Sequence, residues 1–478
     1  MSKKLKKTKI TSQSEDFSKW YHDVVREADL AENSDVRGCG IVKPYGYKIW
    51  ELIKAELSKR IEETGVENVY FPVFIPMKNL ETEKEHVEGF SPELAVVSHG
   101  GGVELTEKLA IRPTSETSMY TAYARWIESY KDLPLRLNQW NNAVRWEKKP
   151  RPFLRWSEFL WQEGHTAFAN KEDAVIEVWQ MLDIYEDIYE FMAIPVFKGK
   201  KSEMEKFAGA EMTTTVEVMA RDGKAIQGAT SHYLGINFSK AFNIEYIGED
   251  EKKHLVHQNS WGLSWRTIGA LIMAHGDDNG LRLPPNVAPV QIIITPICRD
   301  ENRDKVMGYA TKIFEELKGE YRVKIDDRDS VSPGFKFNHW EVRGVPVRIE
   351  IGEKEADSGE LTIFRRDLNE RENLSTKDLN EGIGKLFEDI HKNLFEQSKE
   401  FVKNNVNRIE SIDEIKDQKG FFEASWSEDT ESEKLLKDKF SMVSRVLPKE
   451  NEDKKPKNEK CFITGKPAKH DWLFAKSY

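Results

Sequence analysis

Cysteine is scarce in this sequence. Cys39, Cys298 and Cys461 are three thiols in 478 residues, far apart from one another. Such a set cannot build a disulfide framework, and a reducing cytoplasm is the expected compartment. Long apolar runs are missing too. None approaches the roughly 18 residues that a membrane span needs, so no membrane partner is expected. The N-terminal MSKKLKKTKITSQSEDF is basic, but no apolar stretch follows it, so it is not read as a secretory signal. Positive charge is also in the minority: 72 Lys and Arg against 82 Asp and Glu give a formal net charge of −10. That balance argues against a nucleic-acid partner only weakly, because phosphate binding depends on local stripes. Lys3–Lys9, Lys148–Arg155 and Arg365–Arg366 are such stripes, set against acidic stretches at Glu245–Glu251 and Ser427–Glu433.

The 478 residues exceed one ordinary core and suggest two or three domains. Asp16–Ala31 is amphipathic. Pro44–Thr64 carries Pro at its start and apolar residues at helical spacing, predicting a long helix that stops at Gly65. Val69–Pro76 is strand-like but holds two prolines, which marks an edge or interface strand and a plausible dimer element. Leu109–Trp126 reads as strand, proline, then helix. Beyond Pro284-Pro285 come a buried-looking strand (Val290–Thr295), a helix (Asp300–Lys318), strands at Tyr321–Ile325 and Val345–Gly352, and a helix at Thr376–Asn393. That alternation fits an α/β domain. From Gln397 on the chain is rich in lysine and glutamate, and Lys449–Lys460 reads as a solvated loop.

The most informative segment is Asn142–Phe168, NAVRWEKKPRPFLRWSEFLWQEGHTAF. It reads as strand, basic hairpin, strand. Arg145 and Glu147 lie two apart, and Arg155, Phe159 and Glu163 repeat every four residues, so each set shares one face of a sheet. Guanidinium forks for phosphates, a flat ring for a base and a carboxylate for an exocyclic amine are what a nucleotide needs. Arg112–Glu116 (RPTSE) puts hydroxyls and a carboxylate at a strand–helix junction. They form either a helix cap or a seat for an ammonium group. Arg266, in Asn259–Gly269 (NSWGLSWRTIG), either meets an anion or snorkels to the surface, while Gly262 permits close backbone approach. Gln227, Thr230 and His232 cluster around a glycine in AIQGATSHYL.

Together these segments resemble the class II aminoacyl-tRNA synthetases, and within them the prolyl-tRNA synthetases of the archaeal/eukaryotic-like type. The Pro44 helix and Pro72 strand resemble motif 1, Asn142–Glu163 motif 2 and Asn259–Gly269 motif 3. RPTSE, QGATSH, QEGHTAF and SPGFKFNHWEVRGVPVRIEIG are similar to that family's own signatures. About 95 residues (164–258) separate motif 2 from motif 3, too few for a large editing insertion. The resemblance implies an α+β fold: an antiparallel-sheet catalytic domain over residues 1–287, an α/β anticodon-binding domain over 288–395 and a small C-terminal α+β domain over 396–478.

The implied reaction is proline–tRNA ligation. ATP and proline give prolyl-adenylate, and the prolyl group then moves to the 3′ end of tRNA(Pro). ATP, proline and tRNA(Pro) are the expected partners, with Mg2+ on the nucleotide and a homodimer as the assembly. Arg145 and Arg266 are the implied catalytic residues. Arg145, Glu147, Arg155, Phe159, Gln227, Thr230, Ser264 and Arg266 would hold ATP. Thr114, Glu116, Arg145 and His232 would hold proline. Glu350 and Arg366 are the implied anticodon contacts, the Lys148–Arg151 loop would meet the tRNA acceptor end, and Tyr478 would send its carboxylate toward the active site or belong to a free tail.

Three departures from the family stand out. Its C-terminal zinc cysteines correspond here to Ser427, Ser432, Cys461 and Thr464, so no zinc and no other bound metal is expected. The motif 2 loop is one residue short. Trp156 and Trp265 replace common threonines and are expected to pack on each other. Competing readings are a class II synthetase for threonine or glycine, and a synthetase-like RNA- or partner-binding protein without amino-acid activation. The first should show clustered Cys and His ligands, and the second has no use for phosphate clamps.

Overall fold

The computed structural model describes residues 9–80, 93–415 and 419–478. Most of the basic Lys3–Lys9 stripe therefore lies outside the described residues.

The backbone of the molecule is an antiparallel sheet. Five consecutive strands of it run in the order Met212–Met219, Ala225–Gly235, His257–Ser264, Glu158–Phe168 and Leu135–Val144. Sequences such as MTTTVEVM are rich in β-branched residues, which suit a pleated, packed surface. The helix Lys171–Phe191 lies across one face and buries Met181, Leu182, Tyr185 and Tyr189 there. Its close approach needs glycine: a Cβ on Gly228 would sit 2.7 Å from the Tyr189 ring. The expected close approach at Gly262 also exists, where an added Cβ would stand 3.1 Å from the Gln162 carbonyl. The opposite face of the sheet is left for the site.

The helix expected from Pro44 spans Pro44–Glu62, with Pro at its first turn, and the chain then turns through Gly65 at φ +80°. Of the Val69–Pro76 segment only Phe74–Pro76 pairs as a strand. It forms the edge of a three-stranded sheet with Val103–Ile111 and Ala95–Gly100, as its prolines led one to expect.

The α/β unit is a five-stranded sheet in which Val323–Ile325, Ile292–Pro296 and Val347–Ile351 are parallel, while Glu360–Arg365 and Glu370–Ser375 add antiparallel strands. Its last helix, Leu379–Asn404, runs across the boundary expected at 395/396. Leu386, Ile390 and Leu394 pack in the α/β core, whereas Phe401 and Val402 of the same helix pack beside Phe421 and Leu473 of the next unit.

That C-terminal unit is also less separate than expected. Its strand Val443–Pro448 pairs with Phe197–Lys200, with Leu447 opposite Lys200, so the catalytic sheet continues into it as one eleven-stranded sheet. Among the described residues no helix is long and apolar enough to cross a membrane.

Candidate active site

Strands Leu135–Val144 and Glu158–Phe168 pair antiparallel, placing Ala143 opposite Phe159 and Gln139 opposite Glu163. Arg145 and Glu147 lie just past the first strand but keep its course: Arg145 N–H donates to Ser157 O (2.8 Å) and Glu147 N–H to Ser157 Oγ (3.2 Å). All the residues expected to hold ATP or proline line one cavity of about 450 Å³ on the open face of the sheet.

One side of the cavity is lined by arginines. The Arg145 guanidinium lies 5.2 Å from the Phe159 ring centroid and 5.4 Å from that of Trp161. Its Nε donates to Pro113 O at 3.1 Å. Desolvation by the cavity wall lowers its pKa, opposed by Glu116, Glu163 and Glu147. Arg266 opens the helix Arg266–His275 and turns inward rather than snorkelling, donating from Nε to Leu154 O (3.1 Å) and from Nη1 to Gln227 O (3.4 Å). Burial first, then the charges of Arg145 and Arg155, bring its pKa down to about 10. Arg145 and Arg155 reach the cavity from its solvent-open rim and Arg266 from deeper in, so three guanidinium groups converge on one wall, which suits an anionic ligand.

The other side is a buried polar seat. Ser115 sits at the N-cap of the helix Glu116–Trp126 but makes no side-chain cap. The capping reading of RPTSE therefore gives way: Thr114 donates its hydroxyl to Glu116, and Ser115 donates its own to Glu163. Glu163 also accepts from Ser115 N (3.0 Å), Gln139 Nε2 (3.0 Å), Asn141 Nδ2 (2.6 Å) and His165 Nε2 (3.1 Å). Burial alone would raise its pKa, but these donors, His165 foremost, hold it at about 2. Burial disfavours the His165 imidazolium, yet Glu116 and Glu163 outweigh burial and raise its pKa. Across the seat, burial and the nearby His165, Arg145 and Lys201 keep His232 neutral, at about 3. Thr213 Oγ1 accepts from Phe207 N (2.9 Å) and lies 2.9 Å from His232 Nδ1, tying the loop and the imidazole to one hydroxyl. The Phe207 ring leans on His232 with centroids 4.8 Å apart.

Sequence reasoning passed over Trp161 and His165 and gave Glu163 no place in the proline pocket, although all three line the cavity. The signal was present. Phe159, Trp161, Glu163 and His165 alternate along one strand, and period two puts all four on one face. Phe207 and Thr213 sit on a loop and the strand after it, with no local pattern to announce them.

Three family models match the chain: the class II tRNA synthetase core domain (G, H, P, S and T) over residues 102–275, an anticodon-binding domain over 291–386, and the prolyl-tRNA synthetase C-terminal domain over 409–478. Proline–tRNA ligase of Natranaerobius thermophilus is 47% identical over 448 residues, covering 93% of each chain, and that of Symbiobacterium thermophilum is 48% identical over 485 residues, covering 98% of each. The chain belongs to the prolyl-tRNA synthetases. A crystal structure of the family member from Cryptosporidium parvum, complexed with halofuginone and AMPPNP, superposes with a TM-score of 0.93 at 42% identity, covering 98% of this chain and 99% of that one.

Other family expectations fare unequally. Arg366, expected at the anticodon, is held inside the protein. It is 1% exposed, and each of its nitrogens is engaged: Nη1 and Nη2 hold Asp277 (2.8 and 2.6 Å), Nη1 also reaches Asn369 (3.0 Å), and Nε holds Glu341 O (3.1 Å). Four of its five N–H donors are used in these contacts, which tie the α/β unit to the turn after the Arg266–His275 helix. Glu350 is mostly buried and accepts from Arg348 and from the exposed Arg371.

Trp156 and Trp265 do pack on each other, edge to face at 5.4 Å, with Phe153 against both. Tyr478 docks beside the motif 2 loop: its hydroxyl donates to Asp222 (2.6 Å), and its ring lies between Arg151 and Lys224. At the C-terminal positions, Ser427 and Thr464 hydrogen-bond the buried Cys461 thiol, while the Ser432 hydroxyl bridges Trp426 Nε1 and Asp429 O.

Proposed function

We propose that the cavity activates proline with ATP and then passes the prolyl group to tRNA(Pro). The ligase activity comes with membership of the family; the residue roles are our reading. The observation that carries it is the union, in one cavity, of a triple-arginine anion site with a seat of buried carboxylates and a neutral histidine.

In this reading Phe159 stacks on adenine and Glu147 accepts from its amine, with Gln227, Thr230 and Ser264 along the nucleotide. Arg145, Arg155 and Arg266 face the phosphates. The proline carboxylate attacks the α-phosphate, pyrophosphate leaves, and negative charge accumulating on the phosphate oxygens meets cations already in place. The carboxylate needs no general base, so alignment supplies much of the acceleration. Glu116, supported by Thr114, takes the secondary ammonium of proline, and Arg145 reaches both substrates. Phe207 on His232 and the Trp161 ring wall the pyrrolidine.

Magnesium takes oxygen ligands, and the cavity's carboxylates are of that kind. Glu163 is already held by five donors, so the ion travels with the nucleotide phosphates. Glu116, Glu163 and His165 are the group of metal-compatible spacing among the described residues. With Glu163 so engaged, a threonine-type metal pocket is disfavoured. A single thiol among hydroxyls at the C-terminal positions suits hydrogen bonding better than zinc.

The division into catalytic, anticodon-binding and C-terminal parts, with junctions near 288 and after Asn404, supports tRNA binding at two places. Glu350 with Arg371 is proposed for the anticodon guanines and Lys148–Arg151 for the acceptor end. A homodimer is proposed through the three-stranded sheet, where Phe74, Val96, Val103 and the nearby Tyr70 and Trp126 are exposed. The cytoplasm is the proposed compartment. Proline-dependent exchange between ATP and pyrophosphate tests the reading. Exchange driven by threonine or glycine instead of proline would overturn it, and binding of RNA with no exchange would favour the non-catalytic alternative.

A further inference from the structure

We propose that Arg445 of the C-terminal unit is a positioning residue for the amino-acid pocket, acting through Glu217 and Lys201 on the segment that carries Phe207. The inference rests on the reading of the Phe207–His232 wall as part of the proline seat.

The Arg445, Glu217 and Lys201 side chains are 5%, 0% and 1% exposed. Glu217 lies on Met212–Met219, a strand of the catalytic sheet, whereas Arg445 lies on Val443–Pro448. Arg445 donates to Glu217 Oε2 from Nε (3.1 Å) and Nη2 (2.7 Å), in the side-on fork that only an arginine makes. Glu217 Oε1 accepts from Lys201 Nζ (2.7 Å) and Thr215 Oγ1 (2.9 Å). Glu205 completes the charge balance, 3.9 Å from Arg445 Nη1. A second contact runs beside it: Glu433 accepts from Ser444 N (3.0 Å) and Oγ (2.5 Å) and faces Ser202.

From this network the path to the pocket is short. Lys201 N–H donates to Thr213 O (2.9 Å), and the Thr213 side chain holds both Phe207 N–H and His232 Nδ1. Glu205 and Phe207, on the loop between Lys201 and Thr213, are themselves part of the cavity wall. Toward the arginine side the network sends only the charge of Glu217, felt by Arg266, whereas its hydrogen bonds run to the amino-acid seat. Well-packed apolar residues commonly stabilise such a buried position as well as an ion network does. A network that touches the loop, the sheet and the C-terminal unit at once is suited to fixing geometry. Its loss should therefore loosen the amino-acid seat far more than the nucleotide seat.

The test is steady-state ATP–pyrophosphate exchange by the full chain, varying proline and ATP separately. Arg445→Ala is expected to raise the KM for proline about tenfold, with the KM for ATP within about twofold of wild type; Arg445→Lys, which keeps the charge but loses the fork, should fall between. Equal rises for both substrates, or an unchanged proline KM, would overturn the proposal. If Arg445→Ala does not fold, Arg445→Lys decides by the same criteria. His232→Ala separates this inference from the reading beneath it. If His232→Ala leaves the proline KM unchanged, the pocket reading fails. If it raises that KM while the Arg445 variants do not, the positioning role fails.

Discussion

Replacing Glu163 by glutamine should test the polar seat most severely at least change in volume. The carboxylate accepts from five donors, among them His165 and the Asn141 amide at 2.6 Å. An amide has one acceptor oxygen, and its NH2 would face Ser115 N–H or Gln139 Nε2, donor against donor. The pKa gives one magnitude. A fall from 4.5 to about 2 corresponds to about 3 kcal/mol of native-state stabilisation. Breaking a buried, hydrogen-bonded charge pair gives about 3–5 kcal/mol independently. The two agree on about 3 kcal/mol. The group's folded pKa is depressed, so its contribution is fully present above pH 4.5 and is lost as pH falls toward 2. Urea unfolding at pH 7, followed by tryptophan fluorescence, should therefore show Glu163→Gln about 3 kcal/mol less stable. A variant within about 1 kcal/mol of wild type would refute the account of Glu163 as the anchor of the seat.

Other consequences follow from single contacts. His232, held neutral by burial with a pKa of about 3, should show no imidazole titration by NMR between pH 5 and 8; a midpoint near the ordinary 6.5 would contradict its environment. Arg366→Ala removes the fork to Asp277 and should cost about 2–3 kcal/mol, allowing for the partial exposure of Asp277. Charging of tRNA should fall more than ATP–pyrophosphate exchange, and an equal fall would argue against a role in seating the α/β unit. Trp156→Ala removes a ring packed on Trp265 and Phe153 and should cost about 3–5 kcal/mol in thermal unfolding. Phe74→Asp, at the exposed sheet edge, should shift sedimentation from dimer to monomer without lowering helix content; an unchanged dimer would move the interface elsewhere.

Much of the site was legible because its chemistry is local. Arg145, Glu147 and Phe159 lie in one hairpin, and period-two geometry alone brings them to one face. Counting in fours from Arg155 caught Phe159 and Glu163 but stepped over Trp161 and His165, which the same alternation includes. RPTSE was ambiguous for a physical reason: a hydroxyl before a helix caps the backbone unless a better acceptor is near. Here the acceptor, Glu163, lies 48 residues away from Ser115. Arg366 reads as an RNA contact because it sits in a basic stripe, and its partner Asp277, 89 residues distant, leaves no local signal. The strand pairing of Val443–Pro448 with Phe197–Lys200 had no sequence signal at all. An edge that accepts a distant strand differs in no local pattern from one that meets water.

We place proline activation in the cavity that holds Arg145. Proline-dependent ATP–pyrophosphate exchange by wild type and Arg145→Ala, with thermal unfolding measured on the same samples, tests it most directly. Robust exchange by the wild-type chain, absent in a variant that unfolds at the same temperature, is the predicted result. Near-normal exchange by Arg145→Ala, or exchange by the wild type that does not respond to proline, would contradict it.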